Sequence, residues 1–225
     1  VAVAACLVLC IAIPLGVYAG AYPKRASSKL IMSGSILGIS LPSFWVGMMM
    51  IYIFAVVLRL LPASGRGNTV MVGNVALSIF APGGIRYVIL PAITLALTNV
   101  ATMLRLTRSG ILENMRQDYI KFARAKGVPA KSILFGHALK NALIPVVTVI
   151  GLQFGSLLGG ATLTETVFAW PGVGRLLVDS IKSKDAPLVL GGVIMMTITF
   201  SIVNLCVDIL YAFIDPRIKA QYKKK

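Results

Sequence analysis

Long apolar stretches alternate with short polar segments along this chain. Five stretches are long enough for a helix that crosses a bilayer, which needs about 20 residues for a hydrocarbon core of roughly 30 Å. They are residues 1–22, 30–61, 87–106, 141–163 and 187–211. The second exceeds one span, and its Ser40-Leu41-Pro42-Ser43 sequence predicts a kink or a division into an interfacial piece and a span. The pattern predicts an all-α integral membrane protein with five transmembrane helices.

Composition supports a bilayer as the solvent of this chain. Hydrophobic residues make up 57% of its 225 residues and charged residues 13%, and the mean hydropathy is +0.87. A soluble domain of this size cannot bury so much apolar surface, because much of its own surface must be polar. The net charge of +15 raises nucleic acid as an alternative partner.

The position of the charges favours a topology signal over a nucleic-acid surface. Of the 22 Lys and Arg residues, 16 lie in segments 23–29, 105–140 and 217–225, and six lie in 59–86 and 175–184. The two groups alternate along the chain, and Lys/Arg-rich loops stay on the cytoplasmic side. We therefore expect the first group, including the C-terminus, to be cytoplasmic, and we expect no nucleic-acid partner.

The start of the chain fits this topology. Five spans with a cytoplasmic C-terminus place residue 1 outside. The chain begins with Val1 and has no charged region typical of a signal peptide. We interpret it as a piece that lacks a first helix running from inside to outside.

The basic segment 105–140 is predicted to form helix, glycine turn and helix. The helix that begins near residue 87 is expected to continue past the membrane, because charged residues follow Leu104. Asp118 is a predicted N-cap for two helical turns, Gly127 a predicted C′ residue, and Pro129 a stop. The next helix has apolar positions at helical spacing, which are Ile133, Leu134, Ala138, Ala142 and Ile144.

So short a helix is marginal in water by itself. It needs a docking surface, which points to a partner protein. A basic loop that lies on anionic lipid is the alternative. The residues alone leave both open.

A second segment combines a turn with a short helix. Trp170 suits a membrane–water boundary, and Pro171-Gly172 predicts a tight turn. An amphipathic helix over 173–181 is expected to place one set of residues on one side: Val173, Leu176, Leu177 and Ser180. An interfacial helix without a partner is the alternative.

Four stretches carry a resemblance to a known family. Ala-Arg-Ala-Lys-Gly127 followed by His137-Ala-Leu-Lys-Asn-Ala-Leu-Ile-Pro145 resembles the cytoplasmic coupling loop of ABC importer permeases of the dipeptide/oligopeptide/nickel type. Of the general Glu-Ala-Ala-x-x-x-Gly signature only the second Ala and the Gly remain, so no role is assigned to the missing Glu. Three further stretches are similar to the same branch: Glu165 to Leu177, Leu61-Pro-Ala-Ser-Gly65, and Asp208 to Asp215-Pro-Arg217.

The resemblance implies a type I ABC importer permease fold in a bacterial or archaeal inner membrane. Residues 1–225 would be one multi-pass permease domain, with a cytoplasmic coupling loop at 107–140 and an external turn and helix at 164–186. The chain would form half of the translocation path for di- or oligopeptides, nickel or peptide-like solutes. Its partners would be membrane lipid, a second homologous permease, two cytoplasmic ATPase subunits and an external solute-binding protein.

The resemblance also implies roles for particular residues. Coupling to the ATPase through 118–145 would involve Asp118, Tyr119, Ala123, Arg124, Ala125, Lys126, Gly127, His137, Asn141 and Pro145. External docking would involve Glu165, Trp170, Pro171, Gly172 and Gly174. Polar residues within spans are candidates for the solute path, although helix–helix contacts explain them equally: Thr94, Thr98, Asn99, Thr102, Gln153 and Asn204.

The sequence lacks the usual chemistry of an enzyme. His137 is the only histidine, which excludes His–His metal sites and His-based triads. There is no Gly-x-x-x-x-Gly-Lys-Ser/Thr phosphate loop. Asp208 is the only carboxylate within a span, where an ionisable residue is a functional candidate; a structural ion pair with Lys or Arg near the cytoplasmic end is the favoured alternative. We expect a non-catalytic subunit without metal or cofactor, with ATP and Mg²⁺ on the partner ATPase. The alternative is a channel or secondary transporter not driven by ATP, although inverted repeats are not apparent.

Overall fold

The computed structural model describes residues 1–73 and 75–214. It describes their side chains except at 72, 75, 144, 148, 152, 154, 156, 158, 208 and 210–214. The predicted ion pairing of Asp208 and the motif that ends at Arg217 lie outside these described parts.

Among residues 1–73 and 75–214, three helices are long and apolar enough to cross a membrane: α1 (Ala2–Ala21), α4 (Ile85–Asn114) and α9 (Ala186–Ile214). Two bent helix pairs raise the number to as many as five if each pair is one span. One pair joins α2 (Ala26–Ser40) to α3 (Ser43–Met50) and its π-helical continuation Ile51–Val57. The other runs through α6 (Ala130–Ser132) and α7 (Leu139–Val167). The mostly helical membrane architecture is confirmed, whereas the count of five stays a prediction.

The predicted break in the second apolar stretch is confirmed. Helix α2 ends at Ser40 and α3 begins at Ser43. Pro42 between them is extended, with φ −61° and ψ 134°. A proline has no N–H for a helical hydrogen bond and disfavours helical geometry at the preceding residue, here Leu41.

Helix α2 buries small residues and exposes large apolar ones, which is the reverse of a helix in a soluble protein. Its buried residues are the small Ser28, Ser35 and Gly38, while Leu30 and Leu37 are exposed. Small residues let helices approach closely within a membrane, where the outer face meets lipid or another apolar surface. This arrangement supports a membrane environment for a stretch that composition alone had marked as apolar.

A small β-hairpin departs from the all-α prediction. Strands β1 (Val70–Val72) and β2 (Val75–Leu77) pair antiparallel, with Val70 opposite Leu77. The sequence signal was Gly73-Asn74 between two apolar triplets, which is a two-residue hairpin connection. Gly73 has a φ of +64°, a value that glycine adopts without strain.

The described residues form two compact units. The first comprises 1–7, 41–98 and 155–202, and the second comprises 8–40, 99–154 and the described residues from 203 onward. In the second unit a buried apolar cluster gathers residues from α1, α4, α5 (Asp118–Ala125), the π-helical segment Ile133–Ala138 and α7: Val17, Ile111, Ile120, Ile133, Ala138 and Ala142.

Two glycines bring α1 and α4 into close contact within the second unit. A Cβ at Gly16 would lie 2.6 Å from Cβ of Thr107, and a Cβ at Gly20 would lie 2.7 Å from Cβ of Ile111. This Gly-x-x-x-Gly spacing is a common contact motif of membrane helices. Helix α4 is thereby fixed against α1 at the end from which the basic segment continues.

Candidate functional site

The short helix α5 (Asp118–Ala125) begins the coupling candidate. Gln117, with φ −66° and ψ 152°, is its N-cap residue, so the prediction of Asp118 as the N-cap is wrong by one position. Asp118 occupies the first turn, where a carboxylate interacts favourably with the helix dipole. Its Oδ1 lies 2.8 Å from Nζ of Lys121, and this hydrogen bond and charge hold the pKa of Asp118 below its usual value.

The predicted C′ position of Gly127 is confirmed. Its φ is +77°, and its N–H donates to the carbonyl of Arg124 at 2.9 Å. The N–H of Val128 donates to the carbonyl of Ala123 at 3.1 Å. These two bonds form a Schellman motif, which satisfies carbonyls at the end of a helix and reverses the chain. Pro129 then stands directly before the next helix.

The chain from Ala130 to Val167 is a continuous helical run. It consists of α6 (Ala130–Ser132), a π-helical segment (Ile133–Ala138) and α7 (Leu139–Val167). Most of the predicted apolar positions contact the cluster of the second unit, and Ile144 lies outside the described side chains. The buried ones are Ile133, Ala138 and Ala142, and Leu134 is partly buried.

One side chain anchors α5 to this cluster. Ile120 is fully buried and shares the cluster with Ile111 of α4 and Ala142 of α7. Ala123 also packs partly against it. Burial of one isoleucine contributes about 1.5–3 kcal/mol, so α5 is fixed through its inner face while Phe122 and Arg124 stay exposed.

The outer surface of this segment exposes two aromatic rings. Phe122 is 62% exposed and Phe135 is 58% exposed. The ammonium of Lys126 lies 4.5 Å from the centre of the Phe122 ring. Exposed aromatic rings among basic residues are typical of protein interfaces. The sequence analysis had left both rings out of the coupling candidates, although phenylalanine within a hydrophilic loop was a signal for them.

The predicted coupling residues divide into two groups. Ala123 faces the cluster, and Gly127 makes the turn. Exposed members are Asp118, Tyr119, Arg124, Ala125, Lys126, His137, Asn141 and Pro145. Tyr119 and Asn141 are hydrogen-bonded to each other, with Nδ2 of Asn141 at 3.0 Å from Oη of Tyr119.

The Glu165 motif forms a capped turn in the first unit. Oε2 of Glu165 accepts the backbone N–H of Arg175 at 3.1 Å, in the first turn of α8 (Val173–Lys182). A Cβ at Gly172 would lie 2.1 Å from the carboxyl carbon of Glu165. The carboxylate therefore caps α8, and Gly172 leaves it the space to do so.

The predicted tight turn at Pro171-Gly172 is confirmed. The N–H of Gly172 donates to the carbonyl of Trp170 at 2.9 Å, and the N–H of Trp170 donates to the carbonyl of Glu165 at 2.8 Å. Trp170, partly buried, lines a cavity of about 370 Å³ together with Arg66 and Ser78.

The inner side of α8 differs from the prediction. Its buried residues are Gly174, Leu177 and Ser180, whereas Leu176 is 48% exposed. A Cβ at Gly174 would lie 2.7 Å from Cα of Thr162 in α7. A side chain at position 174 would not fit against α7, so α8 faces α7 with Gly174 and leaves Leu176 exposed.

Two motifs that are distant in sequence meet at this turn. The N–H of Gly65, whose φ is +87°, donates to the carbonyl of Phe168 at 2.9 Å. The Leu61-Pro-Ala-Ser-Gly65 motif is therefore hydrogen-bonded to the residue that directly follows α7.

The path candidates have different surroundings. Thr94 is buried, and its Oγ1 has no hydrogen-bond partner among the described residues. Its methyl group would lie 3.3 Å from a Cβ at Gly47 of α3, which indicates a helix contact. The other candidates are exposed (Thr98, Thr102), buried (Asn99) or partly buried (Gln153, Asn204). Their role in the path stays a prediction.

No group of three His, Cys, Asp or Glu side chains that could hold a metal occurs in residues 1–73 and 75–214, apart from the side chains excluded above. Cys6, Cys10 and Cys206 are free thiols.

Residues 12–220 match a protein-family model described as the binding-protein-dependent transport system inner membrane component. The match covers nearly the whole chain, including α5, the Gly127 turn and the Glu165 motif. The chain belongs to this family.

The chain is also similar in sequence to curated permeases of this kind. The dipeptide transport system permease protein DppB of Alkalihalophilus pseudofirmus is 42% identical over 224 residues, covering 92% of this chain and 67% of the relative. The di/tripeptide permease DppB of Pseudomonas aeruginosa is 43% identical, covering 85% and 60%. The glutathione permease GsiC of Escherichia coli is 40% identical, covering 91% and 61%. The chain therefore spans about two thirds of the length of these relatives.

Proposed function

We propose that this chain is a permease subunit of an ATP-driven importer and forms half of a path for di- or oligopeptides. Family membership supports an importer. The relatives quoted above are named as permeases for dipeptides, di/tripeptides and glutathione. These names favour short peptides over nickel as the solute.

The observation that carries the proposal is the exposed aromatic surface of the basic segment. Phe122 and Phe135 are exposed on a helical segment that a buried Ile120 fixes to α4 and α7. Such a surface suits an apolar groove on a partner, and the basic residues around it suit an acidic rim. The proposed occupant is a cytoplasmic ATPase subunit, which holds ATP and Mg²⁺ itself, so this chain is not catalytic.

The proposed topology places residues 107–140 and the C-terminus in the cytoplasm and residues 164–186 outside. The bias of Lys and Arg between the two sets of loops supports it. On the proposed outer side, Leu176 and Ile181 of α8 are exposed and suit a solute-binding protein. The apolar window of α9 is unburied, which suits lipid and the second permease of the pair.

The mechanism follows from the rigidity of the segment. Closure of the ATPase pair around ATP moves α5, and the Schellman turn and the cluster pass this shift to α4 and α7. A packed interface changes between discrete arrangements, so a small rigid shift of these helices opens the path to one side and then to the other.

The experiment is peptide transport by the reconstituted transporter with the full chain. Phe122→Ala combined with Phe135→Ala is expected to reduce ATPase association and ATP-dependent uptake of a labelled dipeptide by about tenfold or more, as for loss of an interface anchor. Phe80→Ala is the matched control, because Phe80 is 65% exposed but lies on the opposite set of loops. Uptake that persists without ATPase subunits would favour a channel or secondary transporter instead.

A further inference from the structure

The hydroxyl of Tyr119 lies between two asparagine side chains. It donates to Oδ1 of Asn114 at 2.9 Å and accepts from Nδ2 of Asn141 at 3.0 Å. A phenol hydroxyl can donate once and accept at the same time. Both capacities of Tyr119 are therefore used within this chain.

The two asparagines belong to different helices. Asn114 is the last residue of α4, and Nδ2 of Asn114 donates to the carbonyl of Gly110 at 2.8 Å, which orients its amide. Asn141 is in the first turn of α7. The Tyr119 bridge, which consists of Tyr119, Asn114 and Asn141, thus joins α4, α5 and α7 at one oxygen atom.

The bridge adds something that the apolar cluster does not supply. Ile120 and Ala123 hold α5 close to the two long helices, but apolar burial does not itself depend on the angle between groups. Hydrogen bonds depend on direction as well as on distance, so the bridge fixes the rotational setting of α5 against both long helices.

We propose that Tyr119 is a positioning residue for energy coupling, whose hydroxyl transmits the movement of α5 to α4 and α7 together. This inference rests on the proposed function, in which α5 receives the movement of the ATPase. Ile120 and Ala123 keep α5 docked against the cluster when the hydroxyl is absent. Part of the movement of α5 is then lost before it reaches the spans.

Tyr119→Phe in the complete transporter tests the inference, since it removes one oxygen atom and keeps the ring. The probe is a radiolabelled dipeptide taken up by proteoliposomes together with a measurement of ATP hydrolysis. ATPase association and ATP hydrolysis are expected to stay near the wild-type level. Peptide imported per ATP hydrolysed is expected to fall roughly 2- to 10-fold, the range spanned by one hydrogen bond of ordinary net strength.

Two further variants separate a bridge from a direct contact with the ATPase. Asn141→Ala is expected to lower the same ratio, and the double variant with Tyr119→Phe to add little, because both changes break one bridge. Tyr22→Phe is the matched control, since the Tyr22 hydroxyl makes no hydrogen bond within the described part of the chain, and its ring still faces Arg25. It is expected to match the wild type.

A wild-type ratio for Tyr119→Phe would overturn the inference. Loss of ATPase association in Tyr119→Phe, or a normal ratio in Asn141→Ala beside a defective Tyr119→Phe, would also overturn it, because the hydroxyl would then contact the partner directly. Failure of the proposed function looks different: the wild-type chain itself would neither retain an ATPase nor import the dipeptide.

Discussion

The backbone N–H of Val128 donates to the carbonyl of Ala123 at 3.1 Å, so the chain leaves α5 through a closed turn. Gly127 stands inside that turn with a φ of +77°. Ala123 and Val128 both contact the apolar cluster of the second unit. The direction in which the chain passes from α5 to α7 is therefore set by one backbone conformation and two small apolar contacts.

Gly127→Val is expected to destabilise this turn by roughly 1–2 kcal/mol, because a β-branched residue resists a positive φ. The chain should still insert into the membrane, while ATPase association or coupling weakens. Gly127→Asn is the control, since asparagine tolerates this region better. Co-purification of the ATPase with each variant measures the effect, and full association and uptake by Gly127→Val would contradict it.

The proposed topology predicts which side of the membrane Lys131 faces. In a variant whose three exposed native cysteines are replaced by serine, a cysteine at Lys131 should resist an impermeant thiol reagent applied to intact cells. It should react after the membrane has been permeabilised. A cysteine at Lys184, on the opposite set of loops, should react from outside. The reverse pattern would show that the topology is inverted.

Glu165 and Gly172 are expected to act as one unit in the stability of α8. Glu165→Ala removes the cap, and Gly172→Ala displaces the carboxylate, so each should cost about 0.5–2 kcal/mol. The double variant should cost little more than either alone. Thermal unfolding in detergent measures this, with Gly191→Ala as a control because a Cβ there meets nothing within 4 Å. Fully additive losses would contradict the shared role.

The outer face of α8 predicts where a solute-binding protein docks. Photo-crosslinkers at Leu176 and Ile181, which are both exposed, should capture the loaded binding protein. A crosslinker at the buried Ser180 should not. If both exposed positions stay silent while Phe80 in the 62–86 loop crosslinks, docking belongs to that loop, and α8 is a brace at the membrane surface.

Much of the fold could be predicted from local rules. Apolar runs of span length marked the long helices, Pro42 marked the break, and Gly127 marked the end of α5, because each depends on one residue or one stretch of sequence. The hairpin could also have been predicted, since Gly73-Asn74 stands between two apolar triplets. It was missed because a membrane composition favoured helices everywhere.

The sites depended on contacts that no local rule provides. The N-cap of α5 is Gln117 and not Asp118, because the backbone of Gln117 is extended in the folded chain. The orientation of α8 follows from the approach of Gly174 to Thr162, and Leu176 was therefore assigned to the wrong side. The Glu165 cap and the Tyr119 bridge join residues 10 and 22 positions apart. Neither follows from helical spacing.

A crosslink from Phe122 to an ATPase subunit tests the central claim most directly. With a photo-crosslinking residue in place of Phe122, the full transporter in its membrane should give a crosslinked product with an ATPase subunit. Its yield should change between ATP-bound and nucleotide-free states. The same residue at Tyr22, which is also exposed and directly precedes the segment 23–29 that the proposed topology assigns to the cytoplasm, should give none. Equal crosslinking at both positions, or none at Phe122 in an assembled and active complex, would contradict the assignment of α5 as the coupling element.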